Sequence, residues 1–188
     1  TTTTTTTLPP GACPGEGVGP LPGGATVLAE VAGDFDGDGA QDRFLAYEDG
    51  LGTRWTRVEL AYGYADLGTA PATDLNLSRV NLGGPADLVA MDHLFSSPAR
   101  MASFHQLFDC SLVHVYTSEG RPAQFVLRRS DTELAGVTCT ADGITVTEAT
   151  TTDGTLWEVS SVTYLWDPAS GQLQSSMAAI AILRSPES

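Results

Sequence analysis

Residues Asp34-Phe-Asp-Gly-Asp-Gly-Ala-Gln-Asp42 place carboxylates at positions 1, 3, 5 and 9 of one short stretch: Asp34, Asp36, Asp38 and Asp42. Packed that closely they repel one another unless a cation sits among them. Calcium takes six to eight oxygens at about 2.3–2.6 Å, so a loop that turns alternate side chains inward suits it. Gly37 and Gly39 let the backbone curl, and the Ala40 carbonyl falls at position 7. The expected complement is one calcium ion held by Asp34, Asp36, Asp38, Ala40 and Asp42.

The elements that must position this loop are strands. An EF-hand would need a bidentate Glu at position 12, which is Leu45 here. The flanks Ala29 to Ala32 and Phe44 to Tyr47 show no helical period and read as two short strands. The whole segment from Val31 to Tyr47 resembles the FG-GAP (VCBS-type) repeat, a strand, an Asp/Gly calcium loop and an outgoing strand. That resemblance implies a propeller-blade unit in a secreted or surface protein. It covers the motif and not the full chain.

The rest of the sequence repeats the unit weakly. Gly52-Thr-Arg-Trp55 opens a strand after the acidic loop, and Gly154-Thr-Leu-Trp157 opens another after Val137 and Thr-Ala-Asp-Gly143. A middle copy runs from Val80-Asn-Leu-Gly-Gly-Pro-Ala-Asp87 through Leu88 to Met91 and on to Met101–Phe108. Asp109-Cys-Ser and Asp167-Pro-Ala-Ser-Gly are turn formers between the third and fourth strands of a unit. Only the first copy keeps the full acidic set; the second has Asn81 and Asp87, and the third Asp142. The expected fold class is all-β, with three degenerate four-stranded blade-like repeats at about 25–77, 78–132 and 133–188. They could form a partial or small propeller-like domain, a stack of small sheets, or a domain closed by its long terminal strands. Ala99 to Leu107 is the one stretch that could be argued as a helix. In Arg54 to Tyr62 the alternation puts Val58, Leu60 and Tyr62 on one face and Arg57 and Glu59 on the other.

Composition sets the boundaries of function. The chain has 9 Lys+Arg, all of them Arg, against 23 Asp+Glu, for a net charge of −14. Nucleic acids and anionic membrane surfaces are poor partners for it. The longest apolar run, Met177 to Leu183, is far shorter than the roughly 18 residues of a membrane span. Residues 1–24, rich in Thr, Pro and Gly, bury too little apolar surface to order and read as a disordered stalk. No apolar leader precedes them, which reads as a mature or truncated chain. Of three cysteines, Cys110 and Cys139 lie in strand contexts. Their bridge would close a loop of about 30 residues and contribute about 3 kcal/mol, while Cys13 remains an alternative partner.

No catalytic residue is assigned. His93, His105 and His114 lack metal-ligand spacing, and no Gly-x-Ser-x-Gly elbow occurs. The reading that follows is a non-catalytic module, secreted or at the cell surface, that binds an extracellular protein or glycan. Calcium would stabilise one of its loops. The alternative is a secreted carbohydrate-active hydrolase with a structural calcium site, since paired carboxylates suffice for glycoside hydrolysis.

Overall fold

The computed structural model describes residues 19–61, 63–68, 73–96 and 99–184. It is all-β, with no helix among the described residues. β1 (Thr26–Gly33), β2 (Asp42–Glu48), β3 (Arg54–Leu60) and β4 (Gly63–Gly68) form an antiparallel four-stranded sheet in chain order. β5 (Thr73–Val80), β6 (Leu88–Ser96), β7 (Ala99–Phe108) and β8 (Ser111–His114) form a second antiparallel meander. β11 (Glu133–Thr140), β12 (Gly143–Thr151), β13 (Leu156–Asp167) and β14 (Gln172–Arg184) form a third.

Two connecting strands tie the second and third meanders into one ten-stranded sheet. β10 (Gln124–Arg129) pairs with residues 100–103 of β7, leaving residues 105–108 to β8. It then pairs with β11 only at Arg128 and Arg129, so the sheet is free to bend there. β9 (Tyr116–Thr117) runs parallel to the start of β14. The sheets do not close into a propeller or barrel. The stretch Ala99 to Leu107, which could be argued as a helix, is strand β7.

Two apolar layers hold the units together. Phe44, Val58 and Leu60 of the first sheet meet Val89 and Leu112 of the second, with Phe35 from the acidic loop. Val80, Leu88, Ala102 and Phe104 of the second meet Ile144 and Leu173 of the third. The second meander is therefore covered on both faces, and successive residues Leu88 and Val89 enter different layers.

The unit boundaries follow the strands at one join and not at the other. The turn before Glu133 separates β10 from β11, whereas the expected boundary at residues 77 and 78 falls inside β5. The turns that open β3 and β13 are built alike. Asp49 Oδ1 accepts from the amides of Leu51 and Thr53, Asp153 Oδ1 from those of Thr155 and Leu156, and each turn has a positive-φ glycine, Gly52 or Gly154. The asparagine-like turn role of aspartate explains why the Gly-Thr-x-Trp pattern recurs.

Two expectations need correction. Residues 19–24, assigned to the disordered stalk, are in place: the Gly19 carbonyl accepts from Arg57, and Ala25 N donates to Pro22 O. Arg57, on the face opposite Val58 and Leu60, is 3% exposed, pairs with Asp66 at 2.8 Å and lies 4.0 Å from the Tyr64 ring centre. A buried guanidinium needs acceptors, and Gly19 supplies one. The Cys110–Cys139 bridge is not formed, because Cys139 is a free, exposed thiol. Cys110 packs at the layer between the first and second sheets, while Cys139 sits on β11 of the third. The alternative partner, Cys13, and the Tyr62 side chain lie outside the described residues.

Candidate metal centre

The loop between β1 and β2 is shaped by its own aspartates. Asp34 Oδ1 accepts from Gly37 N at 2.8 Å and its Oδ2 from Gly39 N at 3.0 Å. Asp36 Oδ1 accepts from Asp38 N, and Asp38 Oδ1 from Ala40 N. Asp42, at the first position of β2, accepts from Phe35 N at 2.8 Å across the neck of the loop. Each bond turns a carboxylate back toward its own backbone and shortens the loop. Gly37 and Gly39 have φ of 78° and 84°, a region that favours glycine.

One carboxylate oxygen from each of Asp34, Asp36 and Asp42 lies within 4.8 Å of the others. Asp38 is not in this group; it sits against Asp36 and repels it. Ala40 is exposed and donates its amide to Asp38. Of the four expected aspartate ligands, Asp34, Asp36 and Asp42 converge and Asp38 is not among them.

The electrostatics describe a site short of positive charge. Burial pushes the Asp42 carboxyl up to about 6, aided by repulsion from Asp36 and Asp38 and opposed by the Phe35 amide. Burial also raises Asp36, and the charges of Asp38 and Asp34 add to that. No Arg or His side chain among the described residues forms an ion pair with Asp34, Asp36 or Asp42. An oxygen-only donor set of this kind fits a hard cation.

The loop leans on the second unit. Asp87, nearly fully buried before β6, accepts from Asp34 N at 2.8 Å, and Asp87 N donates to Asp34 O at 2.7 Å. Asn81 Nδ2 donates to Asp87 Oδ1, and Arg79 Nε lies 3.3 Å from Oδ2, the oxygen that accepts from Asp34 N. A Cβ on Gly33 would meet the Phe35 ring at 2.8 Å and Asp87 at 3.0 Å, so the approach has no room for a side chain. Asp87 carries weight in this site that its spacing in the sequence does not reveal. The weak repeat, with an aspartate ending both loops, is the one signal that could have found it.

Comparison with family models, with curated proteins and with solved structures finds no match. The resemblance to calcium-loop blades therefore rests on the motif residues themselves.

Two other places deserve a chemical reading. A groove of about 560 Å³ runs beside the loop, along Glu30, Asp42, Arg43 and Glu59. Its Glu30 and Glu59 carboxylates both pair with Arg43. The histidines are drawn into the sheets, His105 buried and His93 and His114 half-buried. His105 is 2% exposed, its ring centre lies 4.5 Å from that of His114, and burial drives its pKa down to about 3. The Nδ1 atoms of His93, His105 and His114 are buried with no hydrogen-bond partner. Ser103 Oγ lies 3.3 Å from His105 Nε2.

Proposed function

We propose that this chain is a non-catalytic, calcium-binding module that works outside the cytoplasm. On this reading calcium stiffens the loop joining β1 to β2, and the sheets and neighbouring loops present the surface that binds an extracellular protein or glycan. The convergence of Asp34, Asp36 and Asp42 carries the proposal. Asp38 and the Ala40 carbonyl complete the set as the loop closes on the ion. Calcium suits such a loop better than magnesium, which demands tight octahedral geometry and holds its waters.

Extracellular calcium near 1 mM would stabilise a site of about 0.1 mM affinity by about 1.5 kcal/mol. That is a useful share of a domain stability of about 5–15 kcal/mol. The Thr- and Pro-rich start of the chain fits a tether that holds the sheets away from a surface. The hydrolase alternative gains no support from the groove. Asp42, the lining carboxyl held at about 6, is turned to the Phe35 amide, and the two glutamates are engaged by Arg43, which leaves no free second carboxylate to work with it.

Thermal unfolding of metal-stripped protein, with and without about 2 mM Ca²⁺, tests the proposal beside an Asp36→Asn variant. Asn keeps the acceptor for Asp38 N but loses the charge. The expected result is a calcium-dependent rise in melting temperature that the variant lacks. Identical melting of the native chain in both conditions would reduce the loop to an acidic turn.

A further inference from the structure

The third meander ends on an open edge. β14 is 13 residues long, the longest strand, and on its outer side β9 pairs with only Gln172 and Leu173. From Gln174 to Leu183 that side has no strand partner among the described residues. Ile180, Ile182 and Leu183 are 73%, 74% and 54% exposed. The other open edges are guarded. β1 carries Glu30 and a bulge, β4 has six residues and carries Asp66, β8 has four residues, and β5 carries Asp74, Arg79 and a bulge. Short length, charge and bulges are how sheets avoid pairing with strangers. Between Gln172 and Leu183 there is no charge and no proline. A long, uncharged, apolar edge is a template for one more strand.

We propose that β14 is a dimerisation strand, which pairs antiparallel with β14 of a second copy of this chain. The two-fold self-complementarity of the strip points to a second copy as the occupant. Each chain carries a net charge of −14, so two copies repel over most approaches. The neutral strip from Gln172 to Leu183 lets them meet without opposing like charges. The strip is also self-complementary about a two-fold axis. With Ala181 on the axis, Ile180 faces Ile182 of the second copy, and Ile182 faces its Ile180. On the opposite face Leu183 meets Ala179 of the second copy, large against small. Directly opposed residues have Cβ atoms about 4.5–5.5 Å apart, close enough for these pairs to touch. The ladder would run from Ala178 to Arg184 and join the two third meanders into one continuous sheet.

Sedimentation velocity of the full chain from about 1 to about 200 μM brackets a micromolar association. A concentration-dependent dimer is expected. The double variant Ile180→Lys with Ile182→Lys should weaken it by at least about tenfold, with an unchanged circular dichroism spectrum because both positions are exposed. In a Cys139→Ser background, Ala181→Cys should form a disulfide-linked dimer, since opposed Cα atoms fall inside the roughly 4.4–6.8 Å range that a disulfide accepts. A monomer throughout the range overturns the proposal. So does a dimer that the lysines leave intact. Slow amide exchange along β14 in a monomeric sample also overturns it, and assigns the edge to residues 1–18 of the same chain.

Discussion

In the loop entering β6, Asn81 donates its side-chain amide to Asp87 and accepts from Gly83 N, with Arg79 alongside. In the loop entering β2, carboxylates from Asp34, Asp36 and Asp42 converge, and no Arg or His side chain forms an ion pair with them. Both loops open a four-stranded meander and both end on an aspartate at a strand start. The second neutralises its aspartate with groups of its own chain, so it is complete as folded. The first concentrates negative charge and leaves the compensation to something in solution. On the proposed reading, an amide and a guanidinium stand at the second loop's aspartate where the first loop would hold a cation. The complete loop then serves the incomplete one, because Asp87 both accepts from and donates to the backbone of Asp34.

Breaking the complete loop should cost most. Asp87→Ala removes the acceptor for Asp34 N and strands Asn81 and Arg79. Arg79 is half exposed and recovers water, so the cost is mainly that of the hydrogen bonds to a charged group, about 1.5–3 kcal/mol each. Urea unfolding should show that loss, and calcium titration should show weaker binding although no loop ligand has been touched. A variant with native calcium affinity would mean that the two loops are independent.

Converting the complete loop into the incomplete kind is the next test in size. Asn81→Asp keeps the acceptor for Gly83 N but puts a carboxylate against Asp87 in place of a donor. An unsatisfied buried group costs about 1–3 kcal/mol. The metal-free variant should be less stable by that amount, and millimolar calcium should recover part of it. Absence of any recovery would show that the second loop has lost the geometry along with the charges.

Much of this was legible in the residues, and for identifiable reasons. The acidic nonapeptide, the Asp-Cys-Ser and Asp-Pro turns and the Gly-Thr-x-Trp openings are local, and each fixes its own backbone, so they read directly as strand–turn–strand. The strand β7 was ambiguous because its neighbours Phe104 and His105 are both buried, on opposite faces, which erases the alternation. The burial of Arg57 had no local signal, because its acceptor Gly19 lies 38 residues away in a Pro/Gly tract. Asp34 and Asp87 are 53 residues apart, and no local pattern announces such a contact. The free thiol at Cys139 was misjudged because loop length says which bridges are favourable and not which layers separate the two cysteines.

Acidity separates the loops by sign. Asp42 has an ordinary value of 3.8 and is held at about 6 in the fold. A raised carboxyl means that metal-free protein loses stability as pH rises from about 4 through about 6. Calcium removes that loss by stabilising the ionised form, so its effect on stability should be full above pH 7 and fade as pH falls through about 6. His105 acts in the opposite direction. Its pKa is lowered from 6.5 to about 3, so its contribution is present above 6.5 and is lost as pH falls from there. That loss is common to both forms. The difference between melting curves with and without calcium isolates the loop carboxylates raised by burial, Asp42 and Asp36, and its ceiling is the binding contribution of about 1.5 kcal/mol. A difference that does not vary between pH 5 and pH 7 (about one unit either side of the Asp42 value) would remove Asp42 from the ligand set.

The smallest effect distinguishes contact from conformation. Gly37 and Gly39 both have positive φ, so alanine at either is strained, at about 1 kcal/mol. They differ in what surrounds them. A Cβ at Gly39 meets nothing within 4 Å, whereas one at Gly37 lies 3.2 Å from the Pro85 carbonyl oxygen in the second loop. Gly39→Ala should therefore show the backbone cost alone. Gly37→Ala should show that cost plus the displacement of the second loop, and its calcium affinity should fall further than that of Gly39→Ala. The excess, read as the ratio of the two dissociation constants by calorimetry, measures how firmly the complete loop holds the incomplete one. Equal constants would confine the coupling to Asp87 and make the Gly37–Pro85 approach mere proximity.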